Sequence, residues 1–500
     1  MSRLGRLGRD SLVYGVLDAA NRFIGIFLVP LYTRVLSPAD YGGFDLVNTL
    51  VAVAYSLFYL GLDSALSFHY NAAEDDGGRR RAAATALYTW TAAVAAGTLL
   101  LVLARGPMAA VALPDVPRAS YLLLLAAVSL PLQAVTQVQM LVMRLRFSFR
   151  RYAVLSLGLL LTTVALNAWF VLYRGLGVEG ILLAQLWARG LLAVVGLVVT
   201  RGDFTPRGDA DLARRMVRYG APLVLGNLSF WLVVYLERFA LLSFATLTDV
   251  GLFGVATRVA TFVTLVSMAI DMAWIPFALS IHREPDAPVT YARALTWYLL
   301  LAGLAGTLLA VFAYDALVVL TTPRYYPAHV LVAPIVAALV LRGAFNIVAI
   351  GAFVRERTKE LSGISLATSV AHVGLLLGLV PLLGAMGAAL ATLAARLLGL
   401  AVLHLRVGPL YPVPYAWRRI GRMAAVFTAA AVAGTLLAGQ PLWVSLATKA
   451  LVVLPLMLAL LWLVGAIPRG EVAELTARFR ARRAGPPATP GGVAVDVDAP

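Results

Sequence analysis

Asp40-Tyr41-Gly42-Gly43-Phe44 and, 209 residues later, Asp249-Val250-Gly251-Leu252-Phe253 each lead into an apolar stretch of more than twenty residues. Two further pairs hold nearly the same offset. Gly177-Val178-Glu179-Gly180 answers to Gly384-Ala385-Met386-Gly387, and Tyr14-Gly15 answers to Tyr219-Gly220. Glycine recurs in any membrane protein, so each match carries little alone. A near-constant offset across the whole unit carries much more, and the chain reads as two copies of one unit.

The solvent of that unit follows from composition. Of 500 residues, 61% are hydrophobic and 13% charged, with mean hydropathy +0.85. Soluble domains carry about 25% charged residues. So few charges cannot cover a core of this size in water, so the surroundings are largely lipid. The net charge of +16 would suit nucleic acid only if it clustered on a soluble face. With no cysteine, a disulfide framework, a thiolate metal site and a cysteine nucleophile are excluded.

Apolar stretches of about 20 residues mark transmembrane helices. Fourteen are expected, near 11–33, 43–69, 83–104, 120–143, 152–173, 178–200, 219–243, 250–280, 294–318, 328–354, 361–381, 384–405, 423–439 and 442–466. Period-two alternation is absent, which argues against a membrane barrel. The basic residues test this count. With the N-terminus in the cytoplasm and the connections alternating, 29 of the 41 Lys and Arg fall inside, 5 fall outside and 7 lie within spans. One missed helix would invert every later loop, so this bias supports both the count and the orientation.

The expected fold is an all-α polytopic membrane protein of 14 transmembrane helices, with two parallel six-helix lobes and two additional C-terminal helices. Six spans per copy is an even number, so both copies enter from the same side, related by an axis along the membrane normal. The expected parts are a cytoplasmic N-terminus 1–10, an N-lobe 11–200, a cytoplasmic connection 201–218, a C-lobe 219–405, a cytoplasmic linker 406–422, helices thirteen and fourteen in 423–466, and a cytoplasmic tail 467–500. In the tail, about 471–483 suits a short interfacial helix, and the Pro- and Gly-rich remainder reads as disordered.

Ionisable groups within lipid are costly and usually face a cavity or a partner. The first span carries Tyr14, Asp18, Asn21, Arg22 and Gly25 on one stripe. Either the stripe lines a hydrated cavity where Arg22 offers a planar fork to a phosphate, or Asp18 and Arg22, four apart, neutralise each other. Asp63 and Asp271 are repeat-equivalent and sit at one depth. They read as acids on two walls of a shared cavity, or as partners of basic residues at the boundary. Arg258 reads as a cavity residue. Glu237 and Arg238 read as a structural or gating pair, and as neighbours about 100° apart they should not share a partner. Arg189, Arg342 and Arg396 suit interhelical ties or snorkelling groups. Gln133, Gln137 and Gln139 suit helix–helix contacts.

No GxxxxGK[ST], GxSxG or HExxH motif occurs, and the five histidines lack metal-ligand spacing. The connections are too short to hold a sugar donor. These points argue against an enzyme.

Leu36-Ser37-Pro38-Ala39-Asp40-Tyr41-Gly42, placed directly after a polar first helix, resembles the signature of the polysaccharide biosynthesis, or oligosaccharide flippase, family. These are the Wzx-like members of the multidrug/oligosaccharidyl-lipid/polysaccharide exporter superfamily. Arg218-Tyr219-Gly220-Ala221-Pro222-Leu223, Asp249-Val250-Gly251-Leu252-Phe253, Trp274-Ile275-Pro276-Phe277, Arg324-Tyr325-Tyr326-Pro327-Ala328 and Gly384-Ala385-Met386-Gly387-Ala388-Ala389 follow in the family's order, over about 8–465.

The resemblance implies two six-helix lobes forming a V. It implies movement of a lipid-linked oligosaccharide, usually on undecaprenyl pyrophosphate, from the inner to the outer leaflet of a bacterial or archaeal cytoplasmic membrane, with both termini cytoplasmic. Family cavities carry basic residues on both lobes, and Arg22 and Arg258 fall at suitable places. The family often has Asp-Arg where this chain has Glu237-Arg238, which changes the reach of the acid. No cofactor is expected. Protons, sodium or the membrane potential are candidate driving forces. The expected partners are the lipid-linked substrate, membrane lipids and the glycosyltransferases and polymerase of the same pathway, with no nucleic acid and a monomeric chain. Two other readings compete. An ion-coupled drug or small-molecule antiporter of the same superfamily would suit Asp18, Asp63 and Asp271. A membrane polymerase or ligase would need a large external loop.

Overall fold

The structure is a computed structural model that describes residues 28–466, excluding the side chains of 225–232, 269, 272 and 358. Among the described residues every regular element is a helix. Ten of these helices are long and apolar enough to cross a membrane, running from Pro38–Ala72 to Leu442–Leu463. The protein is thus an all-α, multi-pass membrane protein, but these ten do not reach the expected count of fourteen. The expected seventh and thirteenth spans are helices that are not among the ten, and the other two have visible reasons. The first expected span lies largely outside the described residues. The expected eleventh and twelfth spans fall in one element, Lys359–Val407. A straight helix of 49 residues would run about 74 Å, more than twice the hydrocarbon thickness. Gly384 interrupts it at φ 55°, ψ −133°, a conformation that costs glycine little.

Boundaries also move. The helix Ala210–Phe244 begins nine residues before the expected 219, inside the supposed connection. Asp209 caps it by accepting the Leu212 N–H at 2.9 Å. That bond holds the Asp209 carboxyl below its usual range. At the other end, Trp417–Leu436 starts within the supposed linker.

The sequence repeat has a structural counterpart. The helices Pro38–Phe58 and Leu247–Ala260 both begin with a capping box, Ser37 with Asp40 and Thr246 with Asp249, all four backbone-to-side-chain bonds being 3.1 Å long. The two helices then pack against each other at glycine. A Cβ on Gly42 would stand 2.1 Å from the Leu247 carbonyl oxygen, and one on Gly251 would stand 1.9 Å from that of Pro38. Pro38 and Leu247 are themselves 209 apart, as Gly42 and Gly251 are. The contact therefore maps onto itself when the copies are exchanged, the property of a two-fold related interface. Small residues allow this approach where lipid supplies no hydrophobic drive between helices.

The last helices are tied to the rest by charge. Lys449 donates to Asp315 at 2.6 Å, and their side chains are 0% and 3% exposed. In lipid, such a pair satisfies two groups that would each be costly alone.

Candidate functional site

Three polar stripes line one cavity of about 970 Å³. On the helix Pro38–Phe58, Asp45, Asn48, Thr49, Tyr55 and Ser56 recur at helical spacing. On Ala119–Leu145 the stripe is Ser129, Gln133, Gln137 and Arg144. On Gly177–Thr200 it is Gln185 and Arg189, four residues apart. Trp90, Asp63 and Arg238 complete the polar wall. A second cavity of about 800 Å³ is lined by Asp63, Ser67, Asn71, Arg144 and Tyr219 among others. The two share Asp63, Leu141 and Arg144, so they adjoin at that neck. The outer faces of the same helices carry Leu99, Leu100, Leu161 and Leu191, all exposed. A polar interior inside an apolar shell is the inverse of a soluble fold and holds water or a polar guest within lipid.

Within the cavity the polar groups are partly committed. Tyr55 donates to Gln137 Oε1 at 2.7 Å. Arg189 donates to the Ser129 hydroxyl at 2.6 Å, and that hydroxyl in turn donates to the Ala126 carbonyl at 2.7 Å. Gln139 turns away and donates to the Ala193 carbonyl at 3.0 Å. Gln139 thus serves as a helix–helix contact, Gln137 both joins two helices through Tyr55 and lines the cavity, and Gln133 lines the cavity. Arg189 does both: it ties two helices and faces the cavity.

At one side of the cavity a buried ionic chain begins. Arg238 Nε lies 3.1 Å from Asp45 Oδ2, and its other end lies 3.1 Å from Glu237 Oε2. Glu237 Oε1 accepts from the Thr392 hydroxyl at 2.7 Å and stands 3.6 Å from His372 Nε2. Asp45, Glu237, Arg238 and His372 are all below a tenth exposed. Glu237 and Arg238 thus reach different outside partners, as their angular separation requires, and also bond to each other.

The remaining candidates scatter. Asp63 is exposed to the cavity neck. Its counterpart Asp271 accepts from Asn346 at 3.2 Å and is not on that wall. Arg258 is also off that wall. Its guanidinium stands over Tyr41 at 5.3 Å and near Phe44 at 6.0 Å, cation–π distances. Asp18, Asn21 and Arg22 lie outside the described residues.

A family profile described as "Polysaccharide biosynthesis protein" matches residues 31–329, more than half of the chain and most of the helices that line this cavity. The chain belongs to this family. No curated protein sequence matches it. Among solved structures, this polysaccharide biosynthesis family member is similar to the inward-facing conformation of a multidrug resistance MATE family transporter of the MOP superfamily. That match has a TM-score of 0.63 at 17% identity, covering 79% of this chain and 96% of that one. It is similar to the lipid II flippase MurJ in an inward closed conformation, with TM-score 0.65 at 12% identity, covering 89% and 97%. It is also similar to the Vibrio cholerae MATE transporter VcmN in its bent form, with TM-score 0.51 at 14% identity, covering 80% and 97%. The shared property is the fold.

Sequence reasoning missed part of the site. Gln133 and Gln137 were legible as polar groups within a span, but sequence does not say whether a polar face meets another helix or a cavity, and Ser129 beside them was missed. Asp45, His372 and Thr392 gave no local signal, since their partners lie 193, 135 and 155 residues away.

Proposed function

We propose that this family member is a flippase that carries a lipid-linked oligosaccharide, borne on undecaprenyl pyrophosphate, from the inner to the outer leaflet of the cytoplasmic membrane by alternating access. The single observation that carries this reading is the polar cavity enclosed by an apolar helical shell. Moving an anionic head group and its sugars through hydrocarbon is prohibitive without such a path, while the lipid tail can stay in the bilayer. The reciprocal glycine contact supports a rocking motion, since two equivalent units meeting at a narrow crossing can pivot there. The buried chain from Asp45 through Arg238 to Glu237 links the two repeats and serves as a gating or coupling element. Cytoplasmic termini follow from the charge bias, and pathway enzymes are the natural partners.

A cell lacking this protein should accumulate lipid-linked glycan of normal length on the cytoplasmic face. Altered chain length with normal translocation would instead point to a polymerase or ligase. One observation favours a second reading, an ion-coupled antiporter of small molecules: the contact of buried Glu237 with His372 offers a carboxylate and an imidazole to a coupling ion. Drug efflux driven by a sodium or proton gradient would support it.

A further inference from the structure

The charges on the cavity wall are not equivalent. Arg238 is held by Asp45 and Glu237, both within 3.1 Å. Arg144 is exposed at the neck, where Asp63 also opens. Arg189 differs from both. Its described bond is to a neutral hydroxyl, and no carboxylate lies within ion-pair distance among the described residues. It sits twelve residues into a 24-residue helix, about 18 Å from Gly177 and hence near mid-membrane. A guanidinium has five N–H donors, and one bond to Ser129 leaves most of them to the cavity. A cation there without a countercharge is costly unless water or an anion reaches it.

Around Arg189 the wall is neutral. Gln133 and Gln137 on one helix line the same space as Gln185 on another, with Tyr55 bonded to Gln137. Each carboxamide both donates and accepts, which suits sugar hydroxyls and amides without adding charge. Of the two acids that line the cavity, Asp45 is paired with Arg238 and Asp63 is placed at the neck.

We infer that the cavity reads the two parts of its substrate separately: Arg189 anchors a phosphate of the lipid head group, and Gln133, Gln137 and Gln185 with Tyr55 hydrogen-bond an uncharged glycan. The inference rests on the flippase reading and assigns the substrate class of that same cavity. Arg189 is the anion contact and the carboxamides set glycan specificity.

The test is binding to the purified full-length protein in detergent, with four probes: polyprenyl pyrophosphate, the same lipid bearing a neutral oligosaccharide, neutral polyprenol, and inorganic pyrophosphate as competitor. Arg189→Gln should weaken both anionic lipids about 10-fold to 100-fold and leave polyprenol unchanged, as expected for a lost charge-assisted hydrogen bond. Gln133→Leu with Gln185→Leu should weaken the glycan-bearing lipid alone. Arg189→Lys, which keeps the charge but not the fork, should give an intermediate loss and serves if the glutamine variant does not fold. Equal binding of both anionic lipids to wild type and Arg189→Gln would overturn the anchor. Equal losses for sugar-free and sugar-bearing lipid in the double leucine variant would overturn the glycan wall. Displacement of the lipid by inorganic pyrophosphate at equal concentration would overturn the head-group assignment in favour of a free anion. If wild type binds no anionic lipid at all, the flippase reading itself fails, an outcome distinct from these.

Discussion

Asp45 and Arg238, 193 residues apart, meet in a buried ion pair at 3.1 Å that joins the first repeat to the second. The pair stands at the edge of the polar cavity, since both residues line it. Removing one partner strands the other in a poorly hydrated place. Asp45→Asn and Arg238→Gln should each lower thermal stability, and a double-mutant cycle should return a coupling of about 0.5–3 kcal/mol. A coupling indistinguishable from zero would show that the pair does not hold the repeats together.

The glycine crossing predicts a different pattern. Gly42→Ala and Gly251→Ala each place a methyl against backbone rather than a flexible side chain. Each should cost about 1–3 kcal/mol by overpacking. Together they should cost less than their sum, because the first already forces the helices apart. Melting of the detergent-solubilised variants measures this, and strict additivity would argue against one shared crossing.

These two contacts show what the sequence could and could not convey. The repeat was legible because Asp40 and Asp249 serve the same local purpose, closing a capping box with a residue three positions earlier. The crossing of Gly42 with Gly251 followed the same offset. Lipid surroundings were legible from composition, because so few charges cannot solvate this much apolar surface. The ion pair was not legible, since the polar stripe that holds Asp45 does not name a partner and Arg238 lies 193 residues along the chain. The division between the eleventh and twelfth expected spans was legible and falls at Gly384, where one non-helical residue separates two helical stretches. Gln133, Gln137 and Arg189 were visible as polar groups in spans, but only tertiary packing says which of them meet a cavity.

Lys449 and Asp315 anchor the final helices, so breaking the pair should destabilise more than removing it. Lys449→Ala leaves a buried carboxylate unpaired and should cost about 3–5 kcal/mol. Lys449→Met with Asp315→Leu should recover most of the loss. The readouts are membrane abundance and melting temperature, and a double variant as unstable as the single one would contradict the reasoning.

The cavity role proposed for Arg22 predicts that Arg22→Ala lowers transport without lowering membrane abundance. For Arg258 the expectation differs, because its guanidinium packs on Tyr41 and Phe44. Arg258→Ala should reduce abundance and transport together, whereas a loss of transport alone would return Arg258 to the substrate path. Transport assays normalised to immunoblotted protein separate these outcomes.

The central claim is translocation, and the most direct measurement is in proteoliposomes. Purified protein would be reconstituted with a fluorescent polyprenyl-pyrophosphate-linked oligosaccharide, and an impermeant quencher would report how fast label moves between leaflets. The account predicts translocation well above protein-free vesicles, slowed in Arg189→Gln. Movement no faster than in protein-free vesicles, across several lipid-linked glycans, would contradict it.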